Sequence, residues 1–447
     1  MGTSDVRRLN AEEMAQLPQA RATMEDAGKS GASSRFNFFA AFDGTNNDQS
    51  NLELSGDKLR TNVGNLDQQA QRSVSDTFKR AYYPGVGTGG DQGNFVNAGP
   101  NPTPAIDAAA ERAYTDFSDA AQKYLKDNPG ATPADLGASV TGFSRGCATA
   151  VRFSQLVNDR GLIAPDGTVL AQPGTVPITG MALMDPVATG VKGEMGIPPN
   201  VKGQVLMVQA EHESRSWFRP LDYSDDPRVT TVKHPGNHVG VGGGYDRNGT
   251  AANVHEGVTA YFQRRGVPLA DVPTEQRHNP NESAMIRSEN YQTARNGDVL
   301  TYEDGKKQLR WPVDDENKPR ITVKPQMSEQ TKAQLRQSYT ELAPGLKERG
   351  LDSGQCLQVS AACVAKAAEH PDWGDPKRYL LSKDGEKVAV QHHNGRFDEL
   401  RVDNALQHSA NTHLDRAQAL EQHPSAPAAQ QVAERAAPVQ AEPAMTR

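Results

Sequence analysis

Ala138-Ser-Val-Thr-Gly142-Phe-Ser144-Arg-Gly146-Cys-Ala-Thr-Ala-Val-Arg-Phe-Ser154 is the stretch that decides the fold. Its opening residues, Ala138–Thr141, read as a short strand, and Cys147–Val157 reads as a helix. Between them Gly142-Phe-Ser144-Arg-Gly146 matches the pattern Gly-x-Ser-x-Gly. In that pattern small residues flank a serine held in a strained strand-to-helix turn, so that its hydroxyl stands clear of the sheet. The helix that follows points its positive end at the serine and at any anion formed there. The bland alternative is an ordinary glycine-rich turn, because a chain with 40 glycines in 447 residues meets such a pattern by accident at an appreciable rate.

Working outward, Arg35-Phe-Asn-Phe-Phe-Ala-Ala-Phe42 is an apolar run expected to be a buried strand, halted by the turn signal Asp43-Gly-Thr-Asn-Asn-Asp48. Apolar residues at helical spacing predict a helix over 106–126, ended by Asn128-Pro129-Gly130. Two further strands are expected at Val176–Met184, leading into Asp185, and at Gly203–Ala210, leading into Glu211. Strands alternating with helices define an α/β class with a mainly parallel sheet and helices on both faces, of the α/β-hydrolase type. Such sheets carry their chemistry on loops beyond the carboxyl ends of the strands.

The expected organisation has five parts. A polar leader spans 1–34, the α/β catalytic domain spans 35–270, and a polar, Pro-punctuated linker or accessory region spans 271–345. A small α+β domain spans 346–410, with a helix around Gly354–His370 and a hairpin pairing Arg378–Ser382 with Lys387–His392 through an Asp-Gly turn. Residues 411–447, rich in Ala, Gln, Glu and Pro, are expected to be a flexible tail.

Composition removes several function classes. A net charge of −7 and the lack of a Lys/Arg block argue against general nucleic-acid binding. The longest apolar runs, such as Val205–Val208, are far too short to cross a bilayer, and Met1–Asn10 carries no secretory signal. With only 36% hydrophobic residues and a mean hydropathy of −0.69, part of the chain should be solvated. Three cysteines make no disulfide scaffold, and Cys356 and Cys363 on one helix would lie about 10 Å apart along its axis. A reduced, cytoplasmic site of synthesis is expected.

A serine nucleophile needs a base, and the base needs an orienting carboxylate, supplied in this fold in the chain order Ser, acid, His. Asp185, in Met184-Asp-Pro186, closes a strand and is the candidate acid, with Glu213, Asp222 and Asp225 as competitors. Four histidines follow the third strand closely, His212, His234, His238 and His255, and His238 lies in the glycine-dense loop Pro235-Gly-Asn-His238-Val-Gly-Val-Gly-Gly-Gly-Tyr245. The oxyanion of acyl transfer needs two backbone donors. The Arg145 amide is one, and Gly44 or Thr45 after Phe42 is the best placed for the other. Asp43 itself is as well explained as a brace for that turn. No cofactor is required; the Asp-rich turns at Asp43–Asp48 and Asp91 could bind Ca²⁺ but lack EF-hand spacing.

Taken together, Phe42-Asp-Gly-Thr-Asn46, Tyr83-Pro-Gly-Val-Gly-Thr-Gly89, Gly142-Phe-Ser-Arg-Gly146, Met184-Asp-Pro-Val187, Ser214-Arg-Ser-Trp-Phe-Arg-Pro220 and the His238 loop resemble the DUF2235 family, the catalytic domain of Tle1-like type VI lipase effectors. The resemblance implies Ser144 as nucleophile, Asp185 as acid and His238 as base. It also implies hydrolysis of membrane glycerophospholipids by an antibacterial effector, made in the bacterial cytoplasm and exported into rival cells without a cleavable signal. Its partners would be the target membrane, a cognate immunity protein and a component of the secretion machinery. Two departures stand out. Val239-Gly240 replaces the usual Ser-Asp after the histidine, which suggests a missing carboxylate there, and Asn237 replaces an apolar residue. The C-terminal hairpin, Arg401-Val-Asp-Asn-Ala-Leu406 and the biased tail more weakly resemble the recognition domain of type IV secretion effectors. The rival readings are an esterase, thioesterase or peptidase on a soluble substrate, and a catalytically silent secreted adaptor.

Overall fold

A computed structural model of the 447-residue chain describes residues 5–29, 33–88, 101–213, 215, 218–281, 284–288, 300–301, 307–308, 321–323, 327–408 and 410–422. The chain divides into two compact units, residues 1–326 and 327–447.

The first unit is built on six parallel strands. In chain order these are β2 (Phe36–Phe42), β3 (Phe78–Tyr83), β4 (Leu136–Phe143), β5 (Ile178–Met184), β6 (Val205–Ala210) and β7 (Val229–His234). Across the sheet they run β7-β6-β5-β4-β2-β3. The four inner strands are buried at every position. That is why they read as unbroken apolar runs. Alternate residues of β2 serve opposite layers. Phe38, Ala40 and Phe42 pack with helices α3 (Thr103–Asp127) and α4 (Gly146–Arg160). Phe39 and Ala41 pack with α1 (Ala11–Ala27), α2 (Asn62–Gln71) and α6 (Gly249–Arg264). Stacked Phe38–Phe117 (5.2 Å) and edge-on Phe39–Phe262 (5.2 Å, 88°) mark the two layers.

Strand order reverses between β2 and β4, and such a switch point opens a crevice beyond the strand ends. The register brings those ends level: Phe42 pairs with Gly142, Phe143 with Met184, and Met184 with Val208. The elbow is thereby flanked by Asp43 on one side and Asp185 on the other.

Within the stretch 1–34 read as a polar leader, residues 5–29 supply structure. Strand β1 (Asp5–Arg8) pairs antiparallel with β8 (Met285–Ser288), and α1 begins in a capping box formed by Asn10 and Glu13. Leu17 and Met24 of α1 are fully buried. Strands β3 and β7 lie at the sheet's two edges and carry charged residues, as in Phe-Lys-Arg-Ala-Tyr-Tyr83, which obscures the apolar signal.

The second unit is small and α+β. Helix α7 (Glu329–Lys347), α8 (Ser353–Ala368) and a three-stranded meander of β9 (Pro376–Leu381), β10 (Lys387–His392) and β11 (Phe397–Arg401) share one core. Helix α7 falls across the stretch expected as linker and clusters with this unit, because Leu342 and Leu346 enter its core. A short helix α9 (Val402–Ala405) and α10 (Ala410–Gln422) complete it; the rest of the expected tail, 423–447, lies outside the described residues. Cys356 and Cys363 are buried free thiols. Among the described residues no helix is long and apolar enough to cross a membrane.

Candidate active site

Ser144 sits directly after β4 with φ 55°, a left-handed conformation that costs a non-glycine residue strain. The flanking glycines are required by contact. A Cβ on Gly142 would lie 2.7 Å from the backbone of Gly146 and Cys147, and one on Gly146 would lie 2.3 Å from the Phe42 carbonyl. The Ser144 amide donates to the Met184 carbonyl of the neighbouring strand (3.0 Å). Helix α4 starts two residues later, with its amino end toward the serine.

Asp185, with φ 41°, is equally tightly held. Its amide donates to the Val208 carbonyl (2.7 Å), its Oδ1 accepts from the Ala210 amide (2.9 Å), and its Oδ2 meets His238 Nδ1 at 2.6 Å. His238 opens a short helix, α5 (His238–Gly242). Its ring is held between Phe143 (4.5 Å) and Phe218 (4.7 Å, near-perpendicular). Ser144 and His238 line one cleft of about 350 Å³, together with Thr45, Arg145, Arg215 and Tyr245. No hydrogen bond joins the Ser144 hydroxyl to the imidazole here, a looseness common in unliganded hydrolases.

Two amides, those of Gly44 and Thr45, were candidates for a second oxyanion donor, and the structure separates them. The Gly44 amide donates to its neighbour Asp43 Oδ1 at 2.7 Å and so is already engaged. Among the described residues the adjacent Thr45 amide has no acceptor, and Thr45 lines the cleft. Its hydroxyl accepts from Arg145 Nε at 2.7 Å, tying the loop after β2 to the elbow. Asp43 acts as a brace: it accepts from Thr61 Oγ1 (2.8 Å) and Tyr82 OH (2.6 Å), and burial pushes its carboxyl up to about 6. Burial likewise lowers the Arg145 guanidinium to about 10.

The competing histidines have partners elsewhere. His212 meets Glu13 (2.9 Å) and the Gly236 amide, His234 meets Asn253, and His255 meets Gln69; burial lowers all three, His234 and His255 to about 4. Asp222 and Asp225 are not among the residues lining the cleft. Glu213, weighed as a rival acid, is fully inside the site but bonds the His238 backbone rather than its ring, with Oε2 accepting the His238 amide at 3.3 Å. Phe143, Phe218, Arg215 and the cleft-wall residue Asp57 were not anticipated; the acid–base spacing Glu213-Ser-Arg215 just past a strand end is the signal that points to one of them. Among the described residues no group of three His, Cys, Asp or Glu is placed to hold a metal ion, and Asp91 lies outside them.

The strand order and the serine elbow at the switch point define an α/β-hydrolase-like fold. No family model matches the sequence, DUF2235 included, and no curated protein matches it. Among solved structures it is similar to the Tle1 effector bound to the VgrG spike from the type 6 secretion system, at 18% identity and a TM-score of 0.35 over 48% of this chain and 52% of that one. It is also similar to an uncharacterized protein from Pseudomonas aeruginosa, at 15% identity and a TM-score of 0.37 over 96% of this chain and 65% of that one. The chain thus spans about half the length of the effector and under two thirds of the second protein. At these scores the functional reading rests on the side chains themselves.

Proposed function

We propose that the protein is a serine hydrolase that cleaves acyl esters through Ser144, His238 and Asp185. The observation that carries this reading is the strained Ser144 facing a cleft shared with an imidazole whose Nδ1 is held by a buried carboxylate at 2.6 Å. Asp185 fixes the tautomer with the proton on Nδ1, leaving Nε2 to accept the Ser144 proton as the hydroxyl attacks the ester carbonyl. The oxyanion is received by the amides of Arg145 and Thr45. The imidazolium then protonates the leaving alcohol, and water, activated by the same imidazole, releases the acid. These side chains and amides suffice for acyl transfer without a cofactor.

The substrate class we infer is a membrane glycerophospholipid, and the biological role that of an antibacterial effector exported into rival cells. Support comes from the six motifs that resemble those of Tle1-like lipases and from a cleft wall that combines Leu54, Val187 and Phe218 with Arg145, suited to an acyl chain beside an anionic phosphate. An immunity protein and a secretion component would be its partners. The test is hydrolysis of mixed phospholipid vesicles, read by mass spectrometry of fatty acid and lysolipid. Ser144→Ala should remove at least about a thousandfold of the rate with an unchanged melting temperature. In rival-type cells, periplasmic wild type should lyse the host and Ser144→Ala should not. Turnover of short soluble esters with no action on vesicles would move the assignment to a soluble-substrate esterase.

A further inference from the structure

The mechanism above gives no role to Glu213, a buried carboxylate bonded to the His238 backbone. Glu213 is 4% exposed and accepts hydrogen bonds from the Arg215 amide, Nε and Nη2, each at 2.8 Å, and from the His238 amide at 3.3 Å. Its partner Arg215 lies flat over the Phe218 ring at 3.5 Å, and Phe218 meets the imidazole at 4.7 Å in a T-shaped contact. One ion pair therefore grips His238 twice, by its backbone and, through Phe218, by its ring.

We propose that the Glu213–Arg215 pair is a positioning element for His238 that also sets the charge balance its imidazole experiences, with Asp185 remaining the direct partner. The proposal rests on the Ser144–His238–Asp185 reading. Among the described residues, the charged groups around the imidazole include Asp185 from the end of β5, bonded to its ring, Glu213 and Arg215 from the loop after β6, and Arg145 and Asp57, which line the same cleft. Within this set Glu213 and Arg215 oppose each other at close range in a dry environment, where an uncompensated charge acts strongly on its neighbours. Burial alone would raise Glu213, yet the nearby Arg215 and His238 hold it down to about 2, so the pair is fully charged.

The sign follows directly. Removing the negative member leaves Arg215 facing the imidazole and disfavours imidazolium, so His238 stays an effective base at lower pH. Removing the positive member takes one positive charge from beside the imidazole and favours imidazolium, so activity is lost at higher pH.

The experiment is the pH dependence of fluorophosphonate labelling at Ser144 in the full-length protein, with thermal melts alongside. Glu213→Gln should move the acid limb down by about half to one pH unit, Arg215→Met should move it up by a similar amount, and Arg215→Lys should restore it to within about 0.3 of wild type. If Glu213→Gln does not fold, the contrast between Arg215→Met and Arg215→Lys decides. Limbs that stay put, or shifts of the same sign for Glu213→Gln and Arg215→Met, overturn the proposal while leaving the triad standing. Wild-type protein that fails to label at Ser144 overturns the triad itself.

Discussion

Two buried histidine–aspartate pairs invite comparison, His238–Asp185 in the first unit and His392–Asp398 in the second. Their distances are similar, 2.6 Å and 3.0 Å. Their surroundings are not. Both ring nitrogens of His392 are hydrogen-bonded, Nε2 to Asp398 and Nδ1 to the Gly374 carbonyl at 2.8 Å, and the ring is completely buried beside Trp373. His238 spends one nitrogen on Asp185, makes no second ring hydrogen bond within the protein, and lines a cleft. Asp398 lies on a regular hairpin strand, whereas Asp185 is held at φ 41° next to a serine at φ 55°. Pairing a histidine with a carboxylate is thus common to structure and chemistry. A reacting pair needs strain nearby, an unspent nitrogen and access.

The contrast can be broken at several points. Asp185→Asn should lower kcat about a thousandfold, because the amide favours the wrong imidazole tautomer, with little change in KM for a vesicle substrate. Phe218→Ala should cost about tenfold in kcat/KM by loosening the ring, a loss that steady-state kinetics would resolve. His392→Ala should leave hydrolysis at the wild-type rate but destabilise the second unit by about 2 kcal/mol, since Asp398 loses a buried partner; denaturant titration measures it. Loss of activity in His392→Ala would erase the distinction drawn here.

The smallest effect concerns Asp43. Its folded-state value, raised by burial to about 6, lies above the unfolded one, so the folded state favours the neutral carboxyl. That contribution is present at low pH and is lost as pH rises from about 4 through 6. The wild-type melting temperature should therefore lose a few degrees across this window, and Asp43→Asn should flatten the dependence.

The four inner strands and the elbow were legible because burial on both faces writes an uninterrupted apolar run. The edge strands were not: Val-Thr-Thr-Val-Lys-His234 packs on one neighbour only and keeps polar side chains. Helix α1 hid behind a polar composition and an internal Pro18, although its Asn10–Glu13 capping box was in plain view. Within the site, the Gly-x-Ser-x-Gly pattern pointed to Ser144, while Asp185 and His238 stood among competing acids and histidines until the family resemblance chose them. The sequence could not separate Gly44 from Thr45, since which amide is spoken for depends on where the Asp43 carboxylate turns. Nor could it give Glu213 its place, because the bond to the His238 backbone joins loops that only the β6–β7 register brings together.

The pairing of residues 5–8 with 285–288 bears on when the first unit becomes whole. Arg7 in that first strand grips Glu13, Glu13 reaches His212, and His212 steadies the Gly236 turn that leads into His238. Until residues 285–288 have been made, residues 5–8 lack their strand partner, so the brace on the histidine loop is completed only late in synthesis.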